Sequence, residues 1–133
     1  MVSVTYGSTT LYTASETSYE YAGGVGVPVT QTVAPAGIAL ASNESFEARG
    51  NRTTSPAFTV RRLFSSVEAA ELFCHDFAGS LPTSGDLVFT YAAGVVRRYA
   101  GACYTSATAQ QSPTQGMIVS ISYQFAAGPA ANS

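Results

Sequence analysis

Side chains able to do acid–base or nucleophilic chemistry are few in this chain, and they do not converge. His75 is the only histidine, and it stands between Cys74 and Asp76. A thiol hydrolase needs a cysteine and a histidine in contact. Neighbouring residues on a helix point about 100° apart, so Cys74 and His75 cannot serve each other as nucleophile and base. Cys103 could approach them only through the fold, and nothing in its sequence context demands it. The carboxylates are Glu16, Glu20, Glu44, Glu47, Glu68, Glu71, Asp76 and Asp86. None stands in a calcium-loop pattern, and no His/Cys spacing matches a zinc site. Gly23-Gly24-Val25-Gly26 lacks the Lys-Ser/Thr that follows in a phosphate-binding loop. The expectation is a protein that is not an enzyme, with no catalytic residue, no cofactor and no metal.

Binding through charge is equally poorly provided for. The cations are all arginine (Arg49, Arg52, Arg61, Arg62, Arg97 and Arg98), and the net charge is −2. A nucleic-acid partner held by a basic surface is therefore not expected. Arg61–Arg62 and Arg97–Arg98 fall in apparent strands, where consecutive side chains take opposite faces, so neither pair makes a patch. These four residues are read as candidate intersubunit contacts. The 8 Tyr and 7 Phe could form a sugar-binding face. Their alternation within strands points instead to core and cross-strand packing.

Charged residues are 11% of the chain, against about 25% in average proteins. Ser, Thr, Ala and Gly fill the surface instead, which suits a protein packed against partners. Cys74 and Cys103 read as small buried thiols. Met1 to Tyr6 opens directly on an alternating strand, without a basic start and apolar run, so a reduced, intracellularly made chain is expected. The glycosylation triplets at Asn43 and Asn51 are accordingly read as chance. No apolar stretch approaches the roughly 20 residues of a membrane span.

These side chains must be positioned by one domain, since 133 residues without a composition break fit a single unit. Val2, Val4 and Tyr6 alternate with Ser3 and Thr5, and Gly7-Ser8 is a II′ hairpin turn leading into Thr9–Tyr12. Residues 13–56 show weak periodicity and read as a long irregular loop or an arm laid on a neighbouring subunit. Strand composition appears there over Val27–Val33, and a short strand is possible at Ser45–Arg49. Phe58 and Val60 then share one face of a strand. Ser65-Ser66-Val67-Glu68 reads as a capping box with Ser65 as N-cap and Glu68 three residues on, opening a helix over about 66–78. Gly79 is expected to end it in the left-handed conformation, with Pro82 beyond. Val67, Ala70, Phe73, Cys74, Phe77 and Ala78 gather on one side, and Leu72 falls outside that arc as a candidate intersubunit contact. Leu87–Tyr91 and Val95–Tyr99 form a second hairpin, and Ala102–Ser106 a further strand. Met117, Val119, Ile121, Tyr123 and Phe125 give the clearest period-two run. The fold class is therefore α+β, mainly β: an antiparallel β-sandwich or barrel with one α-helix, spanning residues 1–128, and a flexible tail at 129–133.

This arrangement resembles the β-sandwich-plus-helix domain of tail-tube and distal-tail proteins of tailed bacteriophages. The likeness rests on the opening Val4–Leu11 hairpin, the Phe58–Arg62 strand, the helix with Ala69-Ala70-Glu71-Leu72-Phe73 and the closing Ile121–Gly128. It covers residues 2–12 and 57–128. The resemblance implies a structural virion subunit made in the bacterial host cytoplasm, of the tail tube or tail tip. It implies a homo-oligomeric ring, typically a hexamer, stacked with other virion proteins around a channel that DNA traverses without sequence-specific binding. No membrane partner is implied. The alternative is a β-sandwich binding module, such as a capsid decoration protein or a receptor- or sugar-binding protein.

Overall fold

The computed structural model describes residues 1–22, 24–35, 46–92 and 94–131. Strands β1 (Ser3–Tyr6) and β2 (Thr9–Thr13) pair with Tyr6 opposite Thr9. Gly7 has φ +61° and Ser8 does not have positive φ, which is what a II′ turn requires of its two central residues. The chain continues through β3 (Tyr19–Tyr21), β4 (Val29–Pro35), β5 (Phe46–Thr54), β6 (Ala57–Leu63), helix α1 (Val67–Asp76), β7 (Gly85–Ala92), β8 (Val95–Gln111) and β9 (Ile118–Ala126). Seven strands form one antiparallel sheet in the order β2-β1-β7-β8-β9-β6-β3, while β4 and β5 pair with each other as a separate ribbon. The fold is α+β, mainly β and antiparallel, with one α-helix.

The large sheet curls so that its two halves face each other. Tyr6 of β1 meets Phe125 of β9 with ring centroids 4.9 Å apart, and Phe58 of β6 meets Phe89 of β7 at 5.4 Å. Edge-on aromatic pairs of this kind add about 1 kcal/mol each beyond the area they bury. The outermost strands, β2 and β3, close the curl through the rings of Tyr12 and Tyr21, 5.5 Å apart, and not through backbone hydrogen bonds. The core is what the period-two pattern requires. Val119, Ile121, Tyr123 and Phe125 of β9 are buried, as are Val4 and Tyr6, Phe58 and Val60, and Leu87 and Phe89. Met117 breaks the series because it precedes the strand, where its carbonyl accepts the Phe64 N–H and its side chain lies exposed.

The sequence pattern divides residues 95–106 into two strands, but the structure joins them into the 17-residue β8. Its first half pairs with β7 and its second with β9. The Ala100-Gly101 break in the pattern is a bend, not an end. Gly101 takes φ +61°, and the register with β7 slips between Leu87↔Tyr99 and Gly85↔Ala102. Asp86 locks this bend. Its Oδ1 accepts the Gly101 N–H at 3.1 Å and its Oδ2 accepts Arg98 Nη1 at 2.8 Å.

The helix differs from expectation at both ends. Its N-cap is Ser66, not Ser65: Ser66 is extended (φ −153°) and its hydroxyl accepts the Ala69 N–H at 3.1 Å. Glu68 is thereby the second helical residue, one place too early for a capping box, and its charge instead favours the positive end of the helix dipole. At the other end the helix tightens into a 3₁₀ turn, Phe77–Gly79. Gly79 does not take positive φ, and Ser80 closes the turn by donating its N–H (3.0 Å) and hydroxyl (2.7 Å) to the Phe77 carbonyl.

Residues 13–56, which lack a sustained period, contain β3, β4 and β5 in their described parts; residues 36–45 lie outside the described residues. Strand β3 escapes notice because three residues cannot show a period. Near the C-terminus, Ala131 exchanges two backbone hydrogen bonds with Arg98 (2.8 and 2.9 Å), so the segment read as a loose tail is tied to β8 at that residue.

The hydrogen bond from Gly101, then that from Arg98, hold the Asp86 carboxyl below its usual range. A lowered folded-state pKa means that the unfolded chain binds the proton more tightly. The stabilisation is therefore complete above about pH 4 and is lost as pH falls through the folded-state value. Asp86→Asn is expected to lower the melting temperature at pH 7, and its difference from wild type is expected to shrink in acid below about pH 4, measured by thermal melts across pH.

Candidate functional site

The residues that could do chemistry stay apart in the fold. Cys74 is half-buried and His75 exposed on α1, and with Glu71, Ala109 and Gln110 they line a shallow cleft of about 330 Å³. Cys103 lies six residues back along β8 from Ala109, about 20 Å of extended strand, so it does not complete a pair with His75. Both thiols are free, and Cys103 is exposed where burial was expected. Its neighbours in β8 show why: the bend removes the strand from the period that would have turned it inward. Among the described residues no group of three or more His, Cys, Asp or Glu side chains could hold a metal ion. No helix among them is long and apolar enough to cross a membrane.

The four arginines singled out in the sequence divide as strand geometry requires. Arg61 lies on the outer face of β6, 3.7 Å from Glu20 across the register to β3. Both side chains are solvated, and such a pair contributes little. Arg62 turns the other way. Its guanidinium sits over the rings of Tyr19 (4.9 Å), Phe64 (5.1 Å) and Phe73 (5.4 Å), which joins β3, β6 and α1 around one cation. The sequence hides most of this contact, because Phe64 follows Arg62 closely but Tyr19 and Phe73 come from β3 and α1. Arg98 is the partner of Asp86, and Arg97 is exposed with Nη1 on the Val96 carbonyl. Leu72 is exposed, outside the packed arc of the helix. Of that arc Ala70 and Phe77 are buried, Phe73 and Cys74 are half-buried and Val67 is exposed, while the Ala78 side chain lies outside the described residues.

Three surfaces remain. On the outer face of β6, β8 and β9, a groove of about 590 Å³ is lined by Glu20, Arg61, Thr108, Gln110, Ser120 and Ser122. Apart from the one ion pair it presents mainly hydroxyls and amides, with Pro113 and Ile118 among them. At the root of the ribbon a second groove, of about 700 Å³, lies between Arg52, Thr53, Gly101 and Ala127 to Pro129. The ribbon itself is the third. Thr54 anchors its base: the backbone exchanges two 2.9 Å hydrogen bonds with Ala127, and the hydroxyl donates to the Gly128 carbonyl at 2.8 Å. Beyond that base, among the described residues, no strand of the large sheet pairs with it, and Val29, Thr30, Gln31, Arg52 and Thr53 are exposed. Aromatic side chains are not a feature of these surfaces. Of the described Tyr and Phe residues, Tyr91 alone is exposed.

No family model and no curated protein matches the chain. Among solved structures it is similar to the cryo-EM structure of the anti-feeding prophage cap, the tube-terminating cap of that particle. The likeness has a TM-score of 0.50 at 15% sequence identity and covers 97% of this chain and 85% of that one. At this identity the likeness is one of fold, and it takes in nearly the whole chain.

The Arg62 contact depends on a flat guanidinium lying over rings, which an ammonium on a flexible stem does not reproduce. Arg62→Lys is expected to destabilise the chain by about 1 kcal/mol in urea titration, with the secondary structure unchanged by circular dichroism.

Proposed function

We propose that this chain is a structural, non-enzymatic subunit of a phage tail or phage-tail-like particle, self-assembling in the tube or at its end. The observation that carries this reading is the near full-length fold likeness to a tube-terminating cap. The ribbon supports it independently. Two strands alone are barely stable in water, so a ribbon with an exposed outer side needs a surface to lie on. Low overall charge supports it too, since a surface destined to be covered by neighbours loses less by desolvation when it carries few ions. The proposed assembly is a ring of like subunits, six by the tail resemblance, joined to other particle proteins. Its channel would let DNA or another cargo pass. A neutral, hydroxyl-rich face such as that around Ser120 and Ser122 neither holds nor strongly repels a polyanion.

A sugar- or receptor-binding module would present aromatic rings to solvent. Of the described rings only Tyr91 is exposed, and Tyr6, Phe58, Phe89, Tyr123 and Phe125 are among those buried in the core. For that reason the assembly reading is preferred.

Light scattering of the purified chain is expected to give a mass well above 13.8 kDa as concentration rises, with rings or tubes in negative-stain images. A mass that stays at one chain at millimolar concentration, with no such particles, contradicts the proposal.

A further inference from the structure

Strand β8 has one partner strand at a time, apart from the two backbone hydrogen bonds that Arg98 in its first half exchanges with Ala131. Strand β7 lies along its first half on one side, and β9 along its second half on the other. Among the described residues the second half therefore has an edge without a partner strand. Its direction can be read from the ladder. The Ser112 N–H donates to the Ile118 carbonyl at 2.8 Å, so by the antiparallel alternation the amides of Ser106, Thr108 and Gln110 point to β9. Those of Ala107, Ala109 and Gln111 point away from it. From Cys103 to Gln111 this strand contains no charged residue and no proline, two of the devices by which edge strands discourage pairing, and its one bulge, between Tyr104 and Ser106, lies at the start of this half. Helix α1 flanks its far end beside Ala109 and Gln110, while Thr105, Ser106 and Thr108 remain exposed.

The ribbon carries the matching half. Strand β4 has β5 on one side and no strand on the other among the described residues. The Ser55 N–H donates to the Pro28 carbonyl at 2.9 Å, and Thr30 stands opposite Thr53, so the amides of Val29 and Gln31 point outward. From Val29 to Ala34 this strand also lacks charge. We propose that β4 of one copy adds as a strand to the Thr105–Gln111 edge of β8 in a second copy. This inference rests on the assembly reading above and names the contact that would carry it. It makes a three-stranded sheet of a ribbon that is marginal alone. Because the two surfaces differ, the contact is head-to-tail and repeats from copy to copy, closing into a ring or running on as a filament. A second copy is the fitting occupant because both halves of the pairing are uncharged and of similar length, 7 residues in β4 against the second half of the 17-residue β8.

The test measures the mass of full-length variants by light scattering, with circular dichroism to check the fold. Ala107→Pro removes an outward amide without touching the ladder to β9, and Thr108→Lys places a charge on the exposed edge should the proline disturb folding. Both are expected to need about tenfold or more concentration to assemble, with spectra like wild type. Adding Gln31→Glu to Thr108→Lys is expected to restore assembly at low salt and not at high salt, since opposite charges within a Debye length of about 8 Å attract without needing a set register. If wild type and both variants assemble alike, the edge is not the contact and the inference fails while the assembly reading stands. If Gln31→Glu does not restore assembly, β4 is not the occupant. A wild-type chain that remains single at every concentration removes the assembly reading and this inference together.

Discussion

Strand β8 holds together two halves of a sheet that face each other, and it can do so only because it bends without breaking. An unbent strand of 17 residues would carry β7 and β9 away from one another instead of over a shared core. The bend needs a residue at φ +61° and a second group to satisfy the amide released there. Gly101 and the Asp86 carboxylate supply these, with Arg98 completing the carboxylate's partners. Everything inward of the bend follows. Tyr6 reaches Phe125, its hydroxyl accepts the Tyr104 N–H at 3.3 Å just past the bend, and Phe58 reaches Phe89.

The rest of the curl is closed by side chains instead of backbone. Tyr12 and Tyr21 meet where β2 and β3 would otherwise need a ladder, and Tyr21 stacks on Phe58 behind them. Burial raises the Tyr21 hydroxyl to about 12, and among the described residues that hydroxyl has no hydrogen-bond partner. A seam made of rings is less directional than a ladder, and among the described residues the outer strands β2 and β3 have no partner strand on that side. Next to this seam, Arg62 gathers Tyr19, Phe64 and Phe73 and so ties the helix to the sheet.

How far the sequence carries is explained by the range of the forces involved. Period-two burial is a local property, and so the β1–β2 hairpin, the inward face of β9 and the existence of α1 were all legible. The sequence cannot place the helix cap to the residue because Ser65 and Ser66 are chemically alike; the extended backbone and the Ala69 hydrogen bond at Ser66 separate them. The helix end differs from the glycine-stop pattern because a 3₁₀ turn closed by Ser80 needs no left-handed residue at Gly79. The union of two apparent strands into β8 depends on Asp86, fifteen residues before Gly101. The Arg62 cluster needs Tyr19 of β3 and Phe73 of α1, and the ribbon's isolation follows from strand order; neither is a property of one segment. For the candidate site, the sequence pointed to Arg61, Arg62, Leu72, Arg97 and Arg98, while the edges of β8 and β4 arise from strand order, which no single segment records.

The fold thus completes its own core while leaving, among the described residues, strand borders without a partner strand. Hydrogen exchange along β8 tests this most directly. In dilute, unassembled protein the amides of Ser106, Thr108 and Gln110 are expected to be protected, and those of Ala107 and Gln111 to exchange quickly, gaining protection only as the chain assembles. Equal, strong protection of both sets in the single chain would show that the border is already closed from within, and would contradict the account.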